Sequence, residues 1–516
     1  MSEADPARPP SARGDLLVIG GLALFKLLLH LPFLTRYGWF RDELYYVAST
    51  RHLDWGYVEH PPLSIAVLWA WTSLFGASLE SIRLVPALAG AGMVFLVGLI
   101  AREMGGGRFS QMLAALCALT AGEYLGNHHY YSMNALDHLF WAASAWLILR
   151  ALATDSRRHW AALGVVLGLG LLNKLSLLWL AGGLVLGTLA SPRRRILLRP
   201  GPWLAAGIAA ALFLPHLLWQ ISQGWPVREF IHNATTIKMT RYEPGDFLLQ
   251  QLLNMNPAAA PVWIAGLLWG LLSSRGRRWI VLPLAYLTVL AVLLANAASR
   301  AGYLAPAYAM LFPLGAVAIE SWTRSGPRWV LRPLLALHVL VGGFVTFPFA
   351  VPSLPPDLFV RYAAWIGIGP RQEERSELAE LPQHYADQFG WEEMVDTVAR
   401  VHRSLPPEEQ QRCVVFGQNY GEAGAIDALG RRLGLPRAVS GHNSYWLWGP
   451  GDWDGSVMII LGSNQEDNEE FFEQVEQVAT IPCDRCMPYE RDLPVFVGRR
   501  LKMPVAEAWP RLKMYI

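Results

Sequence analysis

Charge is scarce in this chain. Asp, Glu, Lys and Arg make up only 16% of its 516 residues, against roughly 25% in a typical soluble domain. That deficit excludes a wholly soluble protein. Cysteine numbers four in all, and Cys483 and Cys486 form a lone C-x-x-C with no second pair or histidines to complete a zinc site. No full glycine fingerprint appears, so dinucleotide binding is not read from the sequence. No internal repeat is visible, which weighs against a repeat-built transporter. No small-residue cleavage site follows the first apolar segment, which therefore reads as an uncleaved signal anchor behind Arg8 and Arg13.

What charge there is divides unevenly. Residues 1–354 hold 27 Lys/Arg and 16 Asp/Glu, a balance of +11, whereas residues 355–516 hold 16 and 25, a balance of −9. The long apolar runs are confined to the basic part. This pattern predicts a membrane domain over 1–354 and a soluble α/β domain over 355–516.

A bilayer-crossing helix needs about 20 mostly apolar residues. Eleven candidate spans follow, near 16–35, 82–101, 110–126, 136–152, 160–172, 174–190, 203–222, 257–274, 279–296, 303–322 and 328–350. The 160–190 stretch is two short halves around Asn173-Lys174, and reading it as one long helix would invert everything after it. The basic clusters decide for two. With eleven spans and a cytoplasmic N-terminus, Arg102 and Arg108, then Arg150, Arg157 and Arg158, then Arg193–Arg195 and Arg199, then Arg275–Arg278, then Arg324–Arg332 all fall inside. Lys26, within the first span, is expected to face the bundle interior or to snorkel to an interface.

The other side then collects the polar residues, in loops 36–81, 123–135, 223–256 and 297–302 and in the tail. The first loop carries Arg41-Asp42-Glu43 and Glu59-His60-Pro61-Pro62-Leu63, followed by an apolar stretch at 64–76 too short to span and suited to an interfacial helix. The second carries His128-His129 and ends at Asn134, with Asp137 opening the next span; Lys174 lands on the same side. Isolated loop acids are usually just solvated. An acidic pair directly after a first span, followed by a second acid before two prolines, instead points to a polar cavity.

At these residues the chain resembles the family 39 glycosyltransferases and the related lipid A aminoarabinose transferases, membrane enzymes that use polyprenyl-phosphate sugars. The resemblance rests on Asp42-Glu43, on Glu59 ahead of Pro61-Pro62-Leu63, and on the Gly-Leu-Leu-Asn-Lys run at 170–174. The chain departs from the family pattern in having His60 where Lys is common, Asn134 where Asp is common, and Leu175 after Lys174. The resemblance implies a GT-C type helical membrane fold and inverting transfer of a sugar from a lipid phosphate to a protein, lipid or glycan acceptor. It also implies a bacterial inner membrane with a periplasmic tail, and no nucleic-acid partner.

Such a reaction needs a carboxylate to take the acceptor proton and positive charge for the departing phosphate. Asp42 is the implied general base, with Glu43 as its neighbour. Lys174, Arg41, Lys238 and Arg241 are candidate phosphate partners, although lipid head groups suit Lys238 and Arg241 equally well. Glu59, His60, Asn134 and Asp137 are candidates for sugar, acceptor or metal contacts. A divalent metal ion at Glu59, with His60, His128, His129 and His232 supplying further ligand types, is an additional expectation. Packing or hydrogen bonding is the plainer role for His128-His129, and helix capping by Asn256 the plainer reading of Gln250 to Pro257.

In the tail, 414–416 and 457–461 read as buried strands and 390–404 and 468–479 as amphipathic helices. Asn419–Gly424 has the look of a ligand-binding turn. Ser440–Trp448, rich in aromatics and amides, suits either carbohydrate stacking or docking on the membrane domain. Cys117 reads as a packing residue, and Cys483 can pair with Cys486, with Cys413 as a rival partner. A transporter or lipid flippase, and a non-catalytic sugar-binding scaffold, are the competing functions.

Overall fold

The computed structural model describes residues 13–372 and 374–516. The chain is helical, with several long apolar helices and one small C-terminal sheet. Arg8 of the basic N-terminal flank lies outside the described residues. Two compact units are present, each discontinuous in sequence. One comprises Met1–Leu34, Arg83–Leu218 and Arg241–Ser353; the other comprises Thr35–Ile82, Trp219–Thr240 and Leu354–Ile516. The tail thus shares a unit with the segments Thr35–Ile82 and Trp219–Thr240.

The first unit is a helical bundle. Among the described residues five helices are long and apolar enough to cross a membrane: Gly14–Phe33, Leu79–Glu103, Pro200–Ser222, Ala301–Trp322 and Gly326–Ala350. Pro244–Asn254 and Pro257–Leu272 would together make a sixth, bent by 94°. Asn256, at φ +62°, and Pro257 cause that bend, because proline has no N–H to continue the ladder. The remaining expected spans are helical but shorter or more polar: Arg108–Thr120, Met133–Thr154, Arg157–Asn173, Leu177–Leu189 and Val281–Leu294. Residues 160–190 form two helices, as their composition predicts, with Lys174 extended between them.

Packing in this bundle depends on close backbone approach. A Cβ on Gly315 would lie 1.7 Å from the Val262 carbonyl oxygen, and one on Gly266 would lie 2.4 Å from that of Leu311. Small residues at such crossings are the usual means of association where apolar burial gives no advantage over lipid. Lys26 is fully buried, so it faces the interior.

The second unit is built around a five-stranded sheet. Its strands are β1 (Cys413–Phe416), β2 (Ala438–Val439), β3 (Val457–Leu461), β4 (Phe472–Ile481) and β5 (Leu493–Leu501), in the order β2-β1-β3-β5-β4. β1 pairs in parallel with β2 and β3, whereas β5 runs antiparallel to β3 and β4. β1 and β3 are buried along their whole length, as their unbroken apolar runs predict. Val414, Phe416, Met458, Ile460, Phe496 and Trp509 form the core on one face.

One expected element is wrong. Residues 468–479 are not a helix: the helix Gln465–Phe471 stops and β4 begins at Phe472. The three-residue spacing of Phe472, Val475 and Val478 mimics a helical stripe. An edge ladder to β5, with an irregularity between Gln477 and Ala479, overrides it. The short apolar stretch after the prolines does form a helix, Leu63–Phe75, which leaves Trp69, Leu74 and Phe75 exposed.

Candidate functional site

In the second unit the acidic pair opens a helix. Phe40 is extended, the helix Arg41–Ser49 follows, and the Glu43 carboxylate accepts a hydrogen bond from the Phe40 N–H at 2.9 Å. Glu43 is fully buried. The first carboxylate of the pair has a different setting. The Asp42 side chain is 34% exposed, and its Oδ1 accepts a hydrogen bond from the Tyr420 hydroxyl at 2.9 Å.

Tyr420 begins the helix Tyr420–Leu429, whose N-terminus is capped by the Asn419 side chain. This helix lies directly against Arg41–Ser49. A Cβ on Gly421 would come within 2.4 Å of Arg41 Cγ, and one on Gly424 within 2.9 Å of the backbone at Leu44 and Tyr45. The expected ligand-binding turn at 419–424 is therefore a helix start whose glycines admit a neighbouring helix.

Arg41 already has partners. It donates to the Tyr489 hydroxyl at 2.7 Å, sits 3.5 Å from Asp387 and 3.9 Å from Asp42, and lies 5.3 Å from the Tyr420 ring. Lys238 ends a π-helical turn at Ala234–Lys238 and lies 3.6 Å from Glu374. Burial pushes the Asp387 carboxyl up to about 6, Arg41 opposing and Glu374 and Asp42 adding to the rise. Asn419 bridges two further buried acids, donating to Glu422 at 2.7 Å and to Glu490 at 2.9 Å. Burial and each other's charge push the Glu422 carboxyl upward.

Glu59 is largely buried and is hydrogen-bonded to Tyr45, and burial pushes its carboxyl up to about 7. His60 lies 3.9 Å from Glu59 but turns Nδ1 to within 2.9 Å of its neighbour's carbonyl and stacks on Tyr46 at 5.0 Å. His60 thus packs as a core aromatic. The Ser440–Trp448 segment is also inside this unit. Ser444 Oγ accepts from the Val58 N–H at 3.1 Å, and Trp448 stacks on His52 at 4.2 Å. Its aromatics pack on Tyr45 and His52. Cys483 and Cys486 form a disulfide, and Cys413 is a free buried thiol in β1.

The first unit holds the other candidates. Lys174 Nζ donates to Asn134 Oδ1 at 2.7 Å, lies 3.7 Å from Asp137 Oδ2, and sits 5.1 Å from the Tyr303 ring. Asp137 is buried and accepts from Ser176 at 2.6 Å, while Trp141 donates to the same serine at 3.2 Å. Asn173 ties the helix break to the Met133 carbonyl at 2.8 Å. Arg241 is exposed. Asn256 caps as expected, accepting from the Ala258 N–H at 3.1 Å and donating to Thr120 and to the Val339 carbonyl.

His128 and His129 are buried and pair with other histidines, at 3.4 Å to His138 and 3.3 Å to His30. His232 is exposed on the helix Pro226–Asn233. Among the described residues no three His, Cys, Asp or Glu side chains converge in a way that could hold a metal ion. No chemical step is therefore routed through one.

Residues 59–219 match the family model described as dolichyl-phosphate-mannose-protein mannosyltransferase. The chain is 28% identical over 236 residues to lipid A galacturonosyltransferase RgtD of Rhizobium johnstonii, covering 45% of this chain and 46% of that protein. It is 29% identical over 217 residues to undecaprenyl phosphate-alpha-4-amino-4-deoxy-L-arabinose arabinosyl transferase 2 of Pseudomonas fluorescens, covering 38% and 37%. Both alignments thus span less than half of the curated relative.

In three dimensions the chain is similar to ArnT from Cupriavidus metallidurans bound to undecaprenyl phosphate. The TM-score is 0.62 at 15% identity, over 94% of this chain and 98% of that one. It is also similar to the oligosaccharyltransferase AglB from Archaeoglobus fulgidus, with a TM-score of 0.56 at 12% identity, over 87% and 69%. At these identities the likeness establishes a shared fold with those membrane proteins.

Sequence reasoning named Asp42, Glu59 and Lys174 as candidates and placed Tyr420 only within the 419–424 turn; it did not single out Tyr489, Asp387 or Glu374. The one available signal was Asn419-x-x-Glu422, a helix-start signature that marks where Tyr420 begins its helix.

Proposed function

We propose that this chain is an inverting glycosyltransferase that moves a sugar from a polyprenyl-phosphate donor to an extracytoplasmic acceptor. The observation that carries the reading is Asp42: a partly exposed carboxylate, held by a phenol and flanked by a charge-matched arginine. As general base it takes the acceptor's hydroxyl or amine proton while the acceptor attacks the anomeric carbon. The bond from that carbon to the phosphate oxygen breaks, and polyprenyl phosphate leaves. Lys174, whose ammonium already meets polar and aromatic partners at a helix break, is proposed to bind the donor phosphate. The relatives' printed substrates support a lipid-phosphate-linked sugar as donor and a lipid or glycan acceptor. Eleven crossings, a cytoplasmic N-terminus and a periplasmic tail complete the proposal, supported by the one-sided arginine clusters.

The test incubates the purified full-length protein and its Asp42→Asn variant with radiolabelled undecaprenyl-phosphate-linked hexoses and pentoses and a membrane extract. The expected result is release of undecaprenyl phosphate with label moving to an acceptor, reduced by roughly 100-fold or more in the variant. Undiminished transfer by Asp42→Asn would remove the base assignment. Consumption of no donor by the wild type would turn attention to lipid transport.

A further inference from the structure

We propose that Tyr420, contributed by the C-terminal segment, is a positioning residue for Asp42, so that the soluble part of the chain is a working part of the transferase. The inference rests on the reading of Asp42 as the base.

Three independent features converge on this contact. First, the hydrogen bond joins residues 378 positions apart, from the Tyr420 hydroxyl to Asp42 Oδ1 at 2.9 Å. Second, the contact is built in by sequence: Gly421 and Gly424, one turn apart on the face turned to Arg41–Ser49, lack the Cβ atoms that would push the helices apart. Third, the neighbouring cation is immobilised by the same segment. Arg41 is held by Tyr489 and Asp387 and stacks on Tyr420, so its charge stays beside Asp42.

A carboxylate on a helix surface samples several rotamers. One oxygen tied to a phenol fixes the carboxyl plane and leaves the second oxygen to meet an incoming proton. The phenol is itself buried within the unit. The charged and titratable groups facing Asp42 are Arg41 on its own helix, Tyr420 on the adjoining one, and Glu59 and Asp387, which feel its charge from other segments. Tyr420 touches no reacting atom in this assignment; it acts through Asp42.

The test uses full-length protein with the radiolabelled undecaprenyl-phosphate sugars above, measuring kcat and KM for wild type, Tyr420→Phe, Tyr489→Phe and Asp42→Asn. The expected result for Tyr420→Phe is kcat lower by roughly 10- to 100-fold, the range for a hydrogen bond to a charged group. Its KM should stay within about twofold of wild type, because positioning a base affects the transition state and not ground-state binding. Tyr489→Phe leaves the Asp42 contact intact and should change kcat in the same direction by less. It also keeps the proposal testable if Tyr420→Phe folds poorly: a loss of affinity alone in Tyr489→Phe would overturn it. An unchanged kcat in folded Tyr420→Phe, with Asp42→Asn inactive, would overturn the positioning role and leave the base. Transfer by Asp42→Asn, or no donor consumption by wild type, would overturn both.

Discussion

The two units handle buried charge differently. In the helical bundle, Lys174 meets Asn134 and Asp137, which lie 40 and 37 positions earlier and open a neighbouring helix. In the second unit, Asp42 and Arg41 meet Tyr420, Tyr489 and Asp387, each more than 340 positions away. A helical hairpin brings its partners together through local geometry, so bundle contacts persist if each helix forms. A three-segment assembly has no local guarantee, and its acid–phenol–arginine contacts exist only when sheet, loop and tail fold together.

The strongest way to break this contrast is at the bundle's ion pair. Lys174→Met leaves Asp137 buried, with its charge uncompensated, and should cost about 3–5 kcal/mol, the range for removing one partner of a buried pair. Adding Asp137→Asn should recover a substantial part of that loss, measured by thermal unfolding in detergent. Equal loss in single and double variants would mean that the pair is not energetically coupled.

The next test strikes the second unit's helix contact. Gly424→Val places side-chain atoms against the Leu44–Tyr45 backbone. The expected cost is about 1–3 kcal/mol, typical of overpacking, together with faster hydrogen exchange along residues 41–49. Unchanged exchange there would argue that the two helices do not depend on each other.

The pH dependence of stability sharpens the comparison further. Burial raises Glu59 from 4.5 to about 7 and Asp387 from 3.8 to about 6. The folded protein therefore holds these protons more tightly than the unfolded chain does. Their stabilising effect is complete below pH 4.5 for Glu59 and 3.8 for Asp387, is lost as pH rises through those windows, and is gone above about 7 and 6 respectively. The slope from each is at most about 1.4 kcal/mol per pH unit. Glu59→Gln should remove its share, seen as a smaller fall in melting temperature between pH 5 and pH 8. An unchanged fall would mean that Glu59 does not contribute.

The smallest effect belongs to exposed charge. Arg500 and Glu473 pair at 2.6 Å with both side chains more than half exposed. Arg500→Gln should change stability by less than about 1 kcal/mol, and the change should fade with added salt. A larger loss would show that the edge strand β4 depends on this pair.

Much of the bundle was legible because membrane crossing imposes a plain rule on composition. Apolar runs, arginine clusters and the polar break at Asn173-Lys174 all follow from the cost of placing charge or open backbone in hydrocarbon. The two buried strands at 414–416 and 457–461 were legible for a similar reason. β4 was not, because an edge strand with three-residue spacing resembles a helix until its partner is known.

For the candidate site, the chain's own order pointed to Asp42, Glu59 and Lys174, since acids after a span and a lysine at a helix break are locally anomalous. The cap formed by Glu43, the core packing of His60 and the engagement of Arg41 by Asp387 and Tyr489 depend on what lies opposite each side chain. Sequence by itself determined where the long apolar helices run and which residues are costly to bury, because both are properties of short stretches. Only tertiary structure decided which acid stays partly exposed beside a phenol and which become caps or bridged pairs, because a side chain's partners come from segments hundreds of residues away.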